Sequence, residues 1–364
     1  MRTYTRSFAE LRLSDRGEVG GKCASLGELL SAGVEVPEGF AVTVAAFEAF
    51  RDTDGLRQRL AALVDGVDPA SAAALQAAHE DAAGLVGSAP LPPEVEAQIR
   101  DGYAKLCRER GHTDVPVAVR SSAVAEDGDG ASFAGQQETF LWVVGADSVV
   151  DHVRACWASL YTPQAIAYRA RLSAQEAAEA TRISVAVQAM VDAAVSGVAF
   201  TVSPRTGDRS VVAVNASWGL GHAVVSGEVT PDEFWVCKVG PQLTDKTVAV
   251  KTAQSLADPT GQGVVTVPVP EHRRRVACLD DEEVLALAEL AMRVERHYGC
   301  PQDIEWALTR SDQGRPARFV MLQSRPETTW RQRQDETRTK RASAAGGYLN
   351  LVHAAGRRQK EATS

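Results

Sequence analysis

An arginine at the end of an apolar run, followed by a glycine-rich segment, stands near the middle of the chain. Residues Val117 to Arg120 are typical of a buried strand, and glycines follow at positions 128, 130 and 135. Such a loop can turn its backbone N–H groups inward, because glycine adopts backbone angles that other residues avoid. The guanidinium adds fixed, permanently charged donors. The pattern favours a polyphosphate site, and taken alone it fits an ordinary turn after a strand equally well.

A lysine near the amino terminus suits the same kind of ligand. Lys22 follows Gly20 and Gly21, and leucines at helical spacing come after it until Gly33. This spacing predicts a helix that begins near Lys22, where unpaired N–H groups and the helix dipole already attract an anion. The glycine spacing of a P-loop is absent. An isolated Gly-Gly-Lys also fits a solvated lysine at a helix start.

Two predicted strands near the other end of the chain, 301–310 and 317–326, carry further charged and polar residues. Because strand residues two apart share a face, each strand presents one polar pair. The pairs are Asp303 with Glu305, and Gln323 with Arg325. Carboxylates suit Mg²⁺, and an arginine suits the phosphates that the metal bridges. We expect Ile304, Trp306, Val320 and Leu322 to back the pairs on the core side, which argues against a surface hairpin with incidental charge.

The secondary structure predicted around these residues divides the sequence into a helical part and a strand-rich part. Apolar periodicity predicts helices across residues 45–112, and two more helices after the glycine-rich loop. From about residue 183, short β-branched runs separated by Gly, Pro, Asp and Ser predict a mostly antiparallel sheet. We therefore predict an α+β fold with an N-terminal lobe at 1–180, a strand-rich lobe at 181–330 and a basic tail at 331–364.

Two runs in the strand-rich lobe bear on the later argument. Residues 247–252, with the sequence TVAVKT, have the composition of a strand. In residues 187–191, the thioether of Met190 and the adjacent backbone amides suit a flat aromatic ring. The same residues fit a plain apolar core equally well.

Charge narrows the class of partner. The chain of 364 residues has a formal net charge of −8, which argues against nucleic acid as the principal partner. Residues 331–364 hold eight Lys or Arg against three Asp or Glu, so this tail carries +5 and the remainder −13. The tail is either a docking segment for an acidic partner or a solvated end.

The sequence also bears on compartment. The amino terminus lacks an apolar stretch of signal-peptide length, and no run approaches the ~20 apolar residues that cross a bilayer. The six cysteines are scattered, without the pairing of a zinc site or a disulfide framework. We expect a cytoplasmic enzyme with reduced cysteines and no membrane partner.

Together these pieces resemble the N-terminal nucleotide-binding domain of the phosphoenolpyruvate synthase, pyruvate phosphate dikinase and rifampicin phosphotransferase family. The resemblance runs from Gly20 to about Glu327. Its motifs occur in the family's order: GGKCASLGEL, VPEGFAVT, VAVRSSAVAED, ASFAGQQETF, WASLYTPQAIAYR, SGVAFT, SWGLGHAVVSG, PQDIEWA and LQSRPET. So many ordered motifs exclude chance similarity.

The resemblance implies an ATP-grasp-like, two-lobed fold with ATP and Mg²⁺ bound between the lobes. It assigns the ATP phosphates to Lys22 and Arg120, with a loop through Ser132, Ala134 and Gly135 closing over them. The other implied positions are Gln188, Met190 and Val191 beside the adenine, Glu305 and Gln323 on Mg²⁺ with Asp303 close by, and Arg325 facing the transferred group. Lys22, Arg120 and Arg325 are thereby the candidate catalytic residues.

In this family ATP is cut to AMP and phosphate, and the β-phosphoryl group passes to a histidine on a separate swivelling domain. The sequence departs from the family at His222, where relatives usually have a carboxylate; histidine instead titrates near neutrality. It also ends where the next domains should begin. A swivelling domain needs on the order of 100 residues, so the 34-residue tail with His353 is not expected to carry the phosphoryl group.

Three functions remain open from the sequence. The chain is an ATP-binding subunit that phosphorylates a histidine on a partner, as in split members of the family, or a small kinase that phosphorylates a metabolite or antibiotic directly. The third is a non-catalytic nucleotide sensor, which His222 and the missing domains favour. The joint presence of Lys22, Arg120, Glu305 and Arg325 weighs against the sensor.

Overall fold

A computed structural model describes residues 2–124, 138–310, 316–328 and 330. Within these residues the chain forms helices and antiparallel sheets, which confirms the predicted α+β class. The strands are β1 Thr5–Ser7, β2 Gly39–Val42, β3 Val117–Ala123, β4 Thr139–Val143, β5 Ile183–Ala189, β6 Ala193–Phe200, β7 Val211–Trp218, β8 Asp232–Cys237, β9 Gln242–Thr247, β10 Ala253–Ala257, β11 Val264–Pro268, β12 Gln302–Thr309 and β13 Phe319–Pro326.

The helices fall mainly before β5, as the apolar periodicity predicts. They are α1 Arg16–Ser31, α2 Val44–Arg51, α3 Leu56–Val64, α4 Ala72–Ser88, α5 Pro93–Arg110, α6 Ala146–Ala158, α7 Pro163–Arg169, α8 Ala174–Ala180, α9 His222–Val225 and α10 Asp281–Tyr298. In the described part of the chain, none of them has both the length and the apolar character needed to cross a bilayer. The expected cytoplasmic location stays a prediction.

The first large sheet has the strand order β1-β2-β5-β3-β4. Helices α2, α4, α5 and α6 pack with it around a core in which Phe47 and Phe50 surround Trp157. Helix α1 contacts β3 and β5 of the same sheet. With helices packed against them, β3 and β5 are buried at almost every position, as Val117 to Arg120 predict for β3.

The second large sheet has the order β13-β12-β6-β7-β8-β9. Helix α10 packs across it, begins at an Asp280 cap that accepts from the N–H of Glu283, and ends at Gly299 in the left-handed region. Helix α1 also contributes to this core, where Leu26 and Leu29 are buried. Its Ser25 hydroxyl donates to the carbonyl of Ser324 in β13 at 2.7 Å. Helix α1 therefore joins the two sheets.

The chain passes from the first sheet to the second later than the change from helical to strand-rich sequence predicts. The sequence pattern predicts a boundary near residue 180, but β5 pairs with both β2 and β3 and so belongs to the first sheet. Residues 190–192 connect it to β6, which starts the second sheet at Ala193. The sequence pattern indicates where strands begin, whereas the strands that pair with a given strand determine which sheet it joins.

The predicted strand at 247–252 is wrong beyond Thr247, where β9 ends. The backbone N–H of Ala249 donates to the Asp232 carboxylate at 2.8 Å, and the ammonium of Lys251 donates to the same carboxylate. Both charged side chains are fully buried. The segment leaves the sheet because a buried ion pair takes its hydrogen bonds, and such a pair has no signature in strand periodicity.

The predicted pairing of the strands that contain the polar pairs is confirmed, with one shift of register. In β12 and β13, Asp303 lies opposite Arg325 and Glu305 lies opposite Gln323. A bulge follows, so Met321 rather than Leu322 lies opposite the core residue Trp306. Phe319 meets the ring of Trp306 edge-on.

Val320 and Leu322 therefore do not share the face of Trp306 as expected, although Val320 is buried. Val320 lies opposite Ala307, and Leu322 packs near Ala307 in a small cluster on the other side of the sheet from Trp306. One extra residue in β13 exchanges the two faces, because side chains alternate strictly along a strand.

Helix α1 is kinked at Gly20, whose φ of 71° lies in the left-handed region. An added Cβ would stand 2.1 Å from the carbonyl oxygen of Ser122 in β3. The Ser122 hydroxyl donates to the Val19 carbonyl at 3.0 Å and accepts the N–H of Cys23 at 3.3 Å. The predicted helix start near Lys22 is therefore wrong, because α1 begins at Arg16 and is interrupted at Gly20, shortly before Lys22. The kink lies against the end of β3.

We expect Gly20→Ala to lower the free energy of unfolding by about 3 kcal/mol, because it combines a left-handed backbone with an overlap against β3. Gly33 offers a matched control, since its φ of 68° is similar and a Cβ added there would meet no atom within 4 Å. Gly33→Ala should cost only about 1 kcal/mol. Urea unfolding of both variants measures the difference, and equal costs would contradict close packing of the kink.

Candidate functional site

A cavity of about 460 Å³ lies between the two large sheets. Its wall on the first sheet includes Arg120 of β3 and Gln188 of β5, and its wall on the second includes Glu305 and Ala307 of β12. The connecting residues Met190 and Val191 and the residues after β7 complete it. Predicted residues from both lobes therefore line one cavity, whereas Lys22, Asp303, Gln323 and Arg325 are not part of its lining.

Arg120 connects the two walls directly. Its Nη2 donates to the Glu305 carboxylate at 3.0 Å and to the Gln323 side-chain oxygen at 2.8 Å. The side chain is mostly buried, so these charge-assisted bonds are only weakly screened by water. Arg120, at the end of a predicted strand, thus contacts both residues of the predicted Mg²⁺ pair, Glu305 and Gln323.

Glu305 lies in a strongly positive environment. Burial alone would raise the pKa of Glu305, but Arg120, Lys22 and Arg325 together lower it below its ordinary value. These three cations come from β3, from the kink of α1 and from β13. The carboxylate is therefore held ionised at the point where they converge.

Lys22 lies beside the same spot. Its ammonium donates to the backbone carbonyl of Ser121, the residue after Arg120, at 2.9 Å. The kink at Gly20 fixes the helical segment that carries it. Lys22 thus lies next to the Arg120–Glu305 pair without lining the cavity itself.

Further along the β12–β13 pair, Arg325 forms an ion pair with Asp303, with 3.5 Å between Nε and Oδ2. Burial raises the pKa of Asp303 to about 6, an effect that Arg325 opposes and Glu327 reinforces. The Arg325 side chain is about half exposed. It is the most accessible of the predicted catalytic groups at the site.

The opposite end of the cavity is apolar. Met190 and Val191 pack with Leu220 and Leu322 in the small cluster there. Gln188 is only 3% exposed, and its side-chain Nε2 has no partner among the residues that the structure describes. An apolar slot with one buried amide fits a flat heteroaromatic ring.

Several buried polar atoms around the cavity lack hydrogen-bond partners within the described ranges. They include Nε of Arg120, Nε2 of Gln188 and Nδ1 of His222. A buried donor without a partner is costly, and such groups at a cavity wall are explained by a polar ligand. A ligand with several hydrogen-bonding groups would fit this set of atoms.

The donors of the predicted metal pair suit a hard cation. Over residues 2–124, 138–310, 316–328 and 330, no three His, Cys, Asp or Glu side chains are placed to hold a metal together. Glu305 and Gln323 supply one carboxylate and one amide oxygen, which are hard ligands of the kind Mg²⁺ takes. This donor set fits Mg²⁺ if phosphate oxygens complete the coordination.

Other parts of the site fall outside the sequence predictions or the described residues. The predicted phosphate loop with Ser132, Ala134 and Gly135 lies outside the described residues. The ribbon formed by β10 and β11 was missed. Its Ser255 carbonyl accepts the N–H of Leu220 at 2.8 Å, and the N–H of Gly263 donates to the carbonyl of Trp142 at 2.9 Å. The turn with Gly261 and Gly263 before the β-branched run of β11 was its signal.

Comparison with known proteins defines the class. The family model described as pyruvate phosphate dikinase, AMP/ATP-binding domain, matches residues 16–345, and the chain belongs to this family. The suspected resemblance is therefore confirmed.

Particular relatives include a probable phosphoenolpyruvate synthase of Methanothermobacter thermautotrophicus, 42% identical over 93% of this chain and 48% of the relative. The phosphoenolpyruvate synthase of Pyrococcus furiosus is 38% identical over 90% of this chain and 44% of its own length. That of Neisseria meningitidis serogroup B is 39% identical over 94% and 44%. The chain spans less than half the length of these relatives.

We expect Glu305→Gln to lower the free energy of unfolding of the Mg²⁺-free protein by about 1.5–3 kcal/mol, because it leaves the mostly buried Arg120 without its counter-charge. Glu38→Gln is a matched control, since Glu38 pairs with Arg110 at 2.8 Å but both are substantially exposed. The control should cost less than about 1 kcal/mol. Chemical denaturation compares them, and a Glu305→Gln cost no larger than the control would contradict the described geometry.

Proposed function

We propose that this chain binds ATP with Mg²⁺ in the cavity between the two sheets and initiates transfer of a phosphoryl group. The observation that carries the proposal is the bridge from Arg120 to Glu305 and Gln323. It brings a phosphate-binding cation of the first sheet to the oxygen ligands of the second. Membership of the AMP/ATP-binding domain family supports the nucleotide.

The proposed arrangement places the adenine at the apolar end, beside Gln188, Met190 and Val191, where the unpaired amide meets a ring nitrogen. The phosphates lie at the other end, where Lys22 and Arg120 supply the positive charge. The segment with Ser132, Ala134 and Gly135 closes over them. This orientation follows the change of the cavity wall from apolar to charged.

Entry of the phosphates changes the partners of Arg120. A phosphate oxygen competes with Glu305 and Gln323 for the guanidinium, and Arg120 turns toward it because the phosphate carries more charge. The two freed oxygens then face the phosphates, with Asp303 close by. When bound there, Mg²⁺ neutralises charge on the phosphate oxygens. Positive charge from Lys22 and Arg325 stabilises the charge that develops on the transferred group.

The proposed reaction cleaves ATP to AMP and phosphate. A histidine nitrogen bonds to the β-phosphorus as the bond to the α-phosphate breaks and AMP leaves. Water then cleaves the bond between the β- and γ-phosphates, which releases phosphate and leaves the β-phosphoryl group on the histidine. Among the described histidines, the rings of His79 and His152 donate to backbone carbonyls, and His297 pairs with Glu28. We assign the acceptor to a phosphohistidine domain, and the greater length of the relatives supports this assignment.

Wild-type protein should bind ATP measurably by calorimetry in excess Mg²⁺ and much more weakly in EDTA. Arg120→Ala should weaken binding by about 10- to 100-fold, because a charge-assisted contact to phosphate is lost. Arg110→Ala, in an arginine that also pairs with a glutamate but does not line the cavity, should bind as wild type. Absence of ATP binding by the wild type, or equal effects of the two substitutions, would remove the proposal.

Labelled ATP distinguishes the modes of transfer. The chain alone should form AMP slowly, and addition of a separate phosphohistidine domain from one of the relatives, or of host extract, should accelerate AMP formation and label that protein. Lys22→Ala and Arg325→Ala should lose turnover more than ATP affinity, since their charge acts most on the transition state.

The other outcomes of this assay identify the competing functions. Rapid turnover with a small-molecule acceptor and no second protein would replace the proposal with a direct kinase. Binding without cleavage in every mixture would leave a nucleotide sensor.

A further inference from the structure

His222 is a polar residue of the cavity wall that the proposed function does not use. It begins α9, directly after Gly221, and lines the cavity from the side of the second sheet. Its ring Nδ1 is buried and has no hydrogen-bond partner within the described part of the chain. The imidazole therefore borders a ligand-sized space, and one of its two nitrogens has no partner within the described residues.

The register of the sheet locates His222 along the cavity. In β6, Ala193 lies opposite Thr309 at the end near Met190, whereas Val198 lies opposite Glu305 at the charged end. Ser196 and Gly197 lie between these levels. A Cβ placed on Gly221 would stand 3.2 Å from the Ser196 hydroxyl oxygen and 3.8 Å from the Gly197 nitrogen. Gly221, the residue before His222, thus lies beside the part of β6 between the apolar and the charged ends of the cavity.

Two serines share this wall with His222, and of these Ser226 is exposed. The Ser196 hydroxyl donates to the carbonyl of Gly219. Glu228 is exposed and lies outside the cavity lining. His222 is thus the side chain at this level whose unpaired atom suits a bound ligand.

We propose that His222 hydrogen-bonds a ribose hydroxyl of the bound nucleotide and makes the site prefer ribonucleotides to deoxyribonucleotides. The proposal rests on the proposed function, in which the base occupies one end of the cavity and the phosphates the other. The sugar is the part of a nucleotide that lies between them. A hydroxyl both donates and accepts, so it matches either tautomer of the ring.

The test measures binding of ATP, 2′-deoxy-ATP and 3′-deoxy-ATP in excess Mg²⁺ by calorimetry. Wild-type protein should bind ATP about five- to tenfold more tightly than one of the deoxy analogues, the typical effect of one hydrogen bond. His222→Phe should bind all three alike. His222→Asn should keep most of the preference, because its amide replaces Nδ1. Glu228→Gln, in the turn after α9, should behave as wild type.

A second readout does not depend on a substitution that folds. With ring-labelled histidine, the His222 resonance, assigned from His222→Asn, should shift with ATP and shift less with the deoxy analogue that binds more weakly. Failure of wild-type protein to bind ATP would count against the proposed function itself. ATP binding without a ribose preference, or a preference retained in His222→Phe, would overturn the assignment of His222 alone.

Discussion

The contact between Arg120 and the pair Glu305 and Gln323 is the interaction on which the site depends. A mostly buried guanidinium is stable only if charged and polar oxygens surround it, and here those oxygens belong to the other sheet. The first sheet supplies the cation and the second supplies its counter-charge. The cavity therefore exists as a defined site only when both sheets are in place, and the electrostatics that prepare it for phosphate also hold its walls together.

Helix α1 fixes the position of the two sheets relative to each other near the site. Its kink is bonded to β3 through Ser122, and its Ser25 is bonded to β13 through the Ser324 carbonyl. Lys22 lies between these two anchors. One helix thus sets the distance from the arginine strand to the hairpin, and the close fit of Gly20 explains why the sequence has a glycine so close before the lysine.

Much of this was predictable, because it rests on local chemistry. Alternation along β12 and β13 places Asp303 with Glu305 on one face and Gln323 with Arg325 on one face. Gly-Gly-Lys correctly indicates a helix that contains Lys22, although that helix begins earlier, at Arg16. The errors arise where long-range pairing overrides local pattern. A single bulge residue moves Leu322 to the other face, and the buried Lys251–Asp232 pair removes a segment from the sheet. The sheet that contains β5 depends on partners distant in sequence. The positions of Ser132, Ala134 and Gly135 lie outside the described residues.

The β10–β11 ribbon spans the cleft edge with few bonds. The Ser255 carbonyl accepts the N–H of Leu220, and at the tip the N–H of Gly263 donates to the carbonyl of Trp142 on the first sheet. The Gln262 side-chain amide also donates to the Val144 carbonyl at 3.5 Å. Trp142 has a φ of 58°, an uncommon conformation for a large side chain. Because separation of the sheets at this edge must break the Gly263 bond, exchange of that one amide proton with solvent reports how often the cleft opens. The exchange rate of the Gly263 amide therefore measures cleft opening in the protein without bound nucleotide.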